Sequence, residues 1–286
     1  VSVIPLPDLL LEPAIRAALA EDLGRAGDIT TDAIIPADAR ARVTIGARKP
    51  GRVAGLAFAR LAFRALDPEA RFDVAIADGA DAAPGDVIAT IEARTRALLS
   101  AERVALNFAG RLSGVATLTA AYVARVAGTK ATIVDTRKTT PGWRAFEKYA
   151  VRCGGGGNHR FGLDDAVLIK DNHVAAAGGV ADAIGRARTH AGHMVKIEVE
   201  VDTLTQLHEA LAAKADIVLL DNMTPALLRE AVDITAGRAI LEASGGVNLD
   251  TVRAIAESGV DLISVGALTH SAVCLDIGLD YAAAVS

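Results

Sequence analysis

Six short apolar runs in the second half of the chain, each closed by polar residues and separated from the next by a helical pattern, restrict the fold more than any other feature. They are ATIVDTRK (131–138), AVLIKDNH (166–173), KIEVEVD (196–202), DIVLLDN (216–222), AILEASGG (239–246) and DLISVGAL (261–268). Amphipathic stretches such as Thr203 to Ala213 and Pro225 to Thr235 lie between them, with apolar residues at three- and four-residue steps. Strand–helix repetition of this kind calls for a parallel sheet covered by helices, either closed as a barrel or open and doubly wound.

Alternation within the strands separates the two. In KIEVEVD, Ile197, Val199 and Val201 share one face, while Lys196, Glu198 and Glu200 share the other. An open sheet between two helical layers has no place for that charged face; the lumen of a barrel does. Leu168 with Lys170, and Glu242 with Ser244, follow the same scheme. A barrel keeps its active site at the C-terminal strand ends, where these charges fall. Six strands are fewer than eight, so the barrel is expected to be incomplete.

The first part of the chain reads differently. A helix ending near Asp22 precedes the apolar runs ARVTIGARK, RVAGLAF, FDVAIAD and DVIATIEAR, with turn signals at Lys49-Pro50-Gly51, Asp67-Pro68 and Pro84-Gly85. This pattern predicts an antiparallel α+β domain. Ser100, ahead of Ala101, Glu102 and Arg103, is the expected cap of a long joining helix that runs to about Ala127. The expected domains are residues 1–115, joined by the tail 276–286, and a barrel over 116–275.

Bulk properties narrow the function. The chain has 286 residues and a net charge of -5, which argues against a general affinity for nucleic acid or for anionic membrane. Aromatic residues, at 3%, are too few for stacking single-stranded bases. Mean hydropathy is +0.33, yet the apolar runs are short and broken by charge, so no membrane span is expected. Cys153 and Cys274 have no metal-ligand spacing, and the N-terminus lacks the features of a signal peptide; a reducing cytoplasm without disulfides is expected. Val1 is not an initiator, so at least one preceding residue is expected to have been removed.

The densest chemistry lies between Asp135 and His173. Arg137 and Lys138 follow a strand, His159 and Arg160 follow the glycines 154–157, and Lys170 closes the next strand. Lysines and arginines are usually solvated surface charges. Recurrence at successive strand ends instead suggests a local cationic pocket in an acidic protein, fitted to a small polyanion. Glu198, Glu200 and Asp221 approach from later strands and could steady a cationic transition state or hold a hydrated magnesium. Ser244-Gly245-Gly246, with Asn248 as a helix cap, and Val265-Gly266-Ala267-Leu268 are suited to phosphate. There is no Walker loop, HExxH, paired CxxC or GxSxG, and GGGGNHR precedes a strand, unlike a dinucleotide fingerprint.

DTRKTTPGWRAFEKYAV followed by GGGGNHRFGLDDAVLIKDNH closely resembles the quinolinate phosphoribosyltransferase family. EDLGRAGDIT, AERVALNFAGRLSGVAT, EVEVD, LLDNM, ASGGV and ISVGALTH extend the resemblance over nearly the whole chain, in the family's order. Trp143 and Phe146 stand where leucine is expected, as packing changes. The resemblance implies an N-terminal α+β open-faced sandwich and an incomplete, seven-stranded parallel α/β barrel. It also implies decarboxylating transfer of phosphoribosyl from phosphoribosyl pyrophosphate to quinolinate, with Mg2+ as cofactor, in a homodimer.

Carried over by motif, Arg103 would enter the site from the partner subunit, and Thr136, Arg137, His159 and Arg160 would bind quinolinate. Lys138, Lys170, Glu200 and Asp221 would be catalytic, the two acids also meeting magnesium through water. Ser244, Gly245, Gly246, Gly266 and His270 would surround the 5-phosphate. Two rivals remain in view, a related protein of molybdenum transport and a non-catalytic small-anion sensor. The full set of cations suited to a dicarboxylate disfavours the first, and Lys138 with Glu200 and Asp221 disfavours the second.

Overall fold

The computed structural model describes residues 3–281, and these divide into two compact units: 3–118 with 152–155 and 272–281, and 119–151 with 156–271. The last five residues of the expected tail 276–286, and Val1, lie outside the described residues.

The first unit opens with α1 (Asp8–Leu23), which buries Leu11, Ile15 and Leu19 at four-residue steps. In α2 (Ile29–Ile34), the Asp28 carboxylate caps the first turn by accepting from the Thr31 N–H at 3.0 Å. There follow β1 (Arg40–Ala47), β2 (Gly51–Arg52), α3 (Leu56–Leu66), β3 (Arg71–Val74), β4 (Asp81–Ala82), β5 (Val87–Arg94) and α4 (Thr95–Arg125).

Two expectations fail here for physical reasons. RVAGLAF is not a strand: backbone pairing stops after Arg52 and Val53, and Gly55, at φ +93°, turns the chain into α3. The N–H groups at that helix start, which have no acceptor within the helix, are satisfied from far away, by the Asp78 carboxylate accepting from Gly55 at 2.9 Å and Leu56 at 3.2 Å. Ser100 is no cap, because β5 runs directly into α4 at Thr95; its hydroxyl instead donates to Asp28 at 3.0 Å.

The second unit contains β6 (Thr132–Val134), α5 (Arg144–Cys153, whose last residues belong to the first unit), β7 (Val167–Ile169), α6 (Asp171–Ala177), α7 (Val180–His190) and β8 (Ile197–Val201). It continues with α8 (Leu204–Ala212), β9 (Ile217–Asp221), α9 (Pro225–Thr235), β10 (Ile240–Ser244), α10 (Val252–Ala256), β11 (Leu262–Ser264) and α11 (Ala267–His270). The helices expected at Thr203–Ala213 and Pro225–Thr235 are α8 and α9; Thr203 and Thr224 cap them through their hydroxyls. Asn248 accepts from the N–H groups of Asp250 and Thr251 in the turn before α10.

These strands form one parallel sheet, β6-β11-β10-β9-β8-β7. Beyond β6 a single bridge, Val134 to Gly157, occupies the seventh position. The result is an incomplete α/β barrel. β12 (Ile277–Tyr281) returns to the first unit, pairing antiparallel with β1 in the sheet β12-β1-β5-β3.

A backbone contact in the first unit yields a stability test. A Cβ on Gly114 of α4 would lie 2.1 Å from the Val273 carbonyl oxygen, whereas one on Gly185 of α7 would meet nothing within 4 Å. Gly114→Ala is therefore expected to destabilise by about 1–3 kcal/mol, and Gly185→Ala to stabilise by about 0.5–1 kcal/mol. Urea unfolding of the two variants checks both signs.

Candidate active site

The alternation of β8 holds, with Ile197, Val199 and Val201 buried on one side and Glu198, 4% exposed, turned to the other. The C-terminal strand ends enclose a cavity of about 320 Å³, and its walls include Thr136, Arg137, Lys138, His159, Arg160 and Lys170. Leu168, Leu219, Glu242, Ser244 and Ser264 complete the lining. A larger hollow, about 740 Å³, lies at the strand starts. Lys196 belongs there, paired with Asp216 at 3.7 Å, so it does not share the lumen with Glu198 as its parity suggests: it precedes β8 and sits at the opposite end. That hollow is also lined by four cations, Lys130, Lys196, Lys214 and Arg238, but its two acids take Lys130 and Lys196 into ion pairs, and Arg238 donates to the Thr235 and Ile234 carbonyls.

Four cations converge on the smaller cavity. Burial, and then the neighbouring charge of Arg137, hold the Arg160 guanidinium below its usual pKa. Two arginines so placed favour an anion between them. Lys170 Nζ meets Glu200 Oε2 at 2.5 Å. Glu200 and Asp221 stand on adjacent strands outside the cavity lining. Burial, followed by the charges of Glu200 and Asp202, raises the Asp221 carboxyl. Carboxylates that repel one another in this way suit a divalent cation, and magnesium characteristically takes one or two of them and keeps several waters.

The lumen floor is a separate cluster. His159 Nε2 lies 3.0 Å from Glu198 and 3.5 Å from Glu242, and its Nδ1 accepts the Arg160 N–H at 2.7 Å. Burial pulls the imidazole pKa down, but the hydrogen bond to Glu198 and the charges of Glu242 and Glu198 outweigh it and raise it. The N–H at Nδ1 opposes full protonation and keeps the ring's proton on Nε2, toward the acids. One ligand atom from each of the three lies within 4.8 Å of the others, the one such group among the described residues able to hold an ion. Both nitrogens of His159 are thus engaged within the wall, so direct contact with a substrate carboxylate requires Nε2 to leave Glu198.

The glycine turns sit at the rim. Gly245, at φ +93°, passes so close to Asn222 that a Cβ would lie 2.1 Å from its side-chain oxygen. A Cβ on Gly266 would be 3.2 Å from both His270 Nε2 and Lys138 Cδ. Gly245, Gly246, Gly266 and His270 do not line the cavity itself. Arg103 lies in the first unit on α4, past the first two turns of the helix and not at its start; its side chain is 65% exposed, 3.9 Å from Glu102.

Sequence reasoning overlooked several contributors. Thr269 is fully buried and donates to the Lys138 carbonyl at 2.7 Å, tying that loop to the Gly266 turn. Asp135, Glu147, Lys148 and Asn158 form the support behind the cations. The acidic and basic residues inside the otherwise apolar helix RAFEKYAV were the available signal.

Two matching family models cover most of the chain: Quinolinate phosphoribosyl transferase, N-terminal domain, over residues 28–113, and its C-terminal domain over 115–280. The chain is 48% identical to a nicotinate-nucleotide pyrophosphorylase of Mycobacterium leprae, across 93% of this chain and 95% of that one. It is 42% identical to a decarboxylating quinolinate phosphoribosyltransferase of Nicotiana tabacum, across 96% of this chain and 83% of the relative. The solved nicotinate-nucleotide pyrophosphorylase of Francisella tularensis superposes with a TM-score of 0.94 at 39% identity, covering 99% of each chain.

The floor cluster gives a pH-dependent expectation. Burial, and then the charge of Glu198, push the Glu242 carboxyl from 4.5 to about 7, against the opposing pull of His159 and Lys170. A raised carboxyl keeps its proton in the folded chain while the unfolded chain loses it, so stability falls as pH rises through that window and stays lower above it. Glu242→Gln removes the ionisation. Its Tm relative to the unsubstituted protein is expected to be more favourable at pH 8 than at pH 5, and equal differences at both values contradict the assignment.

Proposed function

The chain belongs to the quinolinate phosphoribosyltransferase family, and from that premise we propose how its cavity carries out the family's reaction. The activity is transfer of phosphoribosyl from phosphoribosyl pyrophosphate to quinolinate with decarboxylation, giving nicotinate mononucleotide, pyrophosphate and carbon dioxide, a step of NAD biosynthesis. The observation that carries the residue assignments is the convergence of Arg137, Lys138, Arg160 and Lys170 on one cavity of an acidic protein.

In this reading Arg137 and Arg160 take the two adjacent carboxylates of quinolinate, with Thr136 beside them and His159 as the wall that orients Arg160. Lys138 and Lys170 stand between the pyridine and the pyrophosphate. The ring nitrogen attacks the anomeric carbon as the bond to pyrophosphate breaks, and both electrons of that bond leave with pyrophosphate. Glu200 and Asp221 face the positive charge that develops on the sugar, and Lys138 the negative charge of the leaving group. Ser244, Gly245, Gly246, Gly266 and His270 surround the 5-phosphate, which fixes the sugar in line.

Ribosylation makes the ring a pyridinium. When the C2 carboxylate departs as carbon dioxide, its electron pair stays at C2 beside the positive nitrogen and then takes a proton. Glu200 and Asp221 would hold magnesium through water, and the ion would neutralise pyrophosphate charge.

We also assign a cytoplasmic setting, supported by Cys153 and Cys274, neither of which is in a disulfide. No helix among the described residues is long and apolar enough to cross a membrane. The working form is proposed as a homodimer in which Arg103 serves the partner's site; its exposed side chain and loose ion pair leave it available for that role.

Two experiments test these assignments. Incubation with quinolinate, phosphoribosyl pyrophosphate and magnesium is expected to yield nicotinate mononucleotide. Nicotinate should be a poor substitute, because an unpaired cation in the cavity costs on the order of 1–3 kcal/mol. A strong magnesium chelator should stop the reaction; comparable use of nicotinate, or activity despite the chelator, contradicts the reading. In the second, inactive Arg103→Ala and Lys138→Ala proteins are unfolded together and reassembled. Random pairing into shared-site dimers should restore roughly a quarter of full activity, whereas a site made within one chain restores none.

A further inference from the structure

Two loops carry three of the four cations of the cavity, Lys170 being at the end of β7. Residues 135–140 bring Arg137 and Lys138, and residues 157–161 bring His159 and Arg160. Backbone pairing does little to fix them relative to each other, since the Val134–Gly157 bridge is isolated. α5 supplies what the ladder lacks. Arg144, Glu147 and Lys148 recur on it at the i, i+3, i+4 spacing that places side chains on one face.

Glu147, fully buried, reaches the first loop: its two carboxylate oxygens accept from the Thr140 N–H and the Thr140 hydroxyl, each at 2.9 Å. Lys148, 3% exposed, reaches both: its ammonium contacts Asp135 Oδ1 at the start of the first loop and donates to the His159 carbonyl of the second at 3.0 Å. Asp135 in turn accepts from the His159 N–H at 2.9 Å and from Asn158 Nδ2 at 2.6 Å. Both sides of His159 in the backbone are thereby held. Arg144 links the same loops, donating to Thr139 Oγ1 at 3.1 Å and to the Phe161 carbonyl at 3.0 Å.

A buried ion pair is a poor device for stability alone, since apolar residues of similar volume often serve as well. Here the bonds end on the two segments that carry substrate cations: of two adjacent residues on one helix, Glu147 holds the first segment and Lys148 joins the first to the second. We propose that Glu147 and Lys148 are positioning residues that set the spacing of Arg137 and Arg160 and so match the cavity to two adjacent carboxylates. This rests on the reading of the cavity as the quinolinate site.

Quinolinate binding is measured by calorimetry without the second substrate, and steady-state kinetics are measured beside it. Glu147→Ala should weaken quinolinate binding about tenfold or more. Its KM for quinolinate should rise in step, with the KM for phosphoribosyl pyrophosphate nearly unchanged. Glu147→Gln should restore binding, because the amide oxygen can accept the Thr140 N–H while its NH2 donates to the hydroxyl. Thr140→Val, at an exposed loop position, should shift binding the same way by less. Asp135→Asn combined with Lys148→Met, which leaves no unpaired buried charge, should also raise the quinolinate KM.

A folded Glu147→Ala protein with unchanged quinolinate KM and only a lower kcat overturns the proposal, as does an unchanged KM in the paired variant. If Glu147→Ala fails to fold, Thr140→Val decides, and normal quinolinate binding by it overturns the proposal. Failure of the unsubstituted protein to bind quinolinate would defeat the functional reading first, and the proposal with it.

Discussion

The buried contact between Asp135 and Lys148 stands where the parallel sheet runs out of strands. Past β6 one bridging residue, Gly157, occupies the seventh position, and the next segment has no ladder to hold it. Side chains replace that ladder. Asp135 accepts from the ammonium, from a main-chain N–H and from Asn158, and burial still pushes its carboxyl up. Such a pair is strongly interdependent: removing one partner leaves an unsatisfied buried charge, at a cost of about 3–5 kcal/mol. The Arg137 and Arg160 loops take their places from this junction.

Charge in the lumen is layered. Acids lie on the floor, where Glu198 and Glu242 crowd His159, and cations line the walls above, where an anionic substrate can replace solvent. Glu200 and Asp221 lie beyond Lys170 on the neighbouring strands β8 and β9. This order corresponds to the charges of the proposed reaction: carboxylates of the substrate beside arginine, a developing cation beside acids, and a departing polyanion beside lysine.

Much of this was legible in sequence because strand parity is a local property. KIEVEVD alone separates core valines from lumen acids, and ATIVDTRK places Arg137 and Lys138 beyond a strand end. What escaped was set by distant partners. RVAGLAF has the composition of a strand, but Asp78 caps Leu56 from 22 residues away and makes it a helix start. Ser100 fits a cap pattern, but the helix has already begun at Thr95. Lys196 has lumen parity yet lies at the wrong end of β8, and parity carries no information about depth. Thr269, Glu147 and Lys148 act through bonds that cross the chain, and their local sequence marks them only as polar residues in apolar surroundings.

The central claim, decarboxylating ribosyl transfer in the cationic cavity, is tested most directly by following one carbon. Quinolinate labelled with 13C in its C2 carboxylate is incubated with the protein, phosphoribosyl pyrophosphate and magnesium. The label is expected in carbon dioxide, one equivalent per pyrophosphate released, and only when both substrates are present. Retention of the label in the nucleotide product, or its release without phosphoribosyl pyrophosphate, would contradict the account.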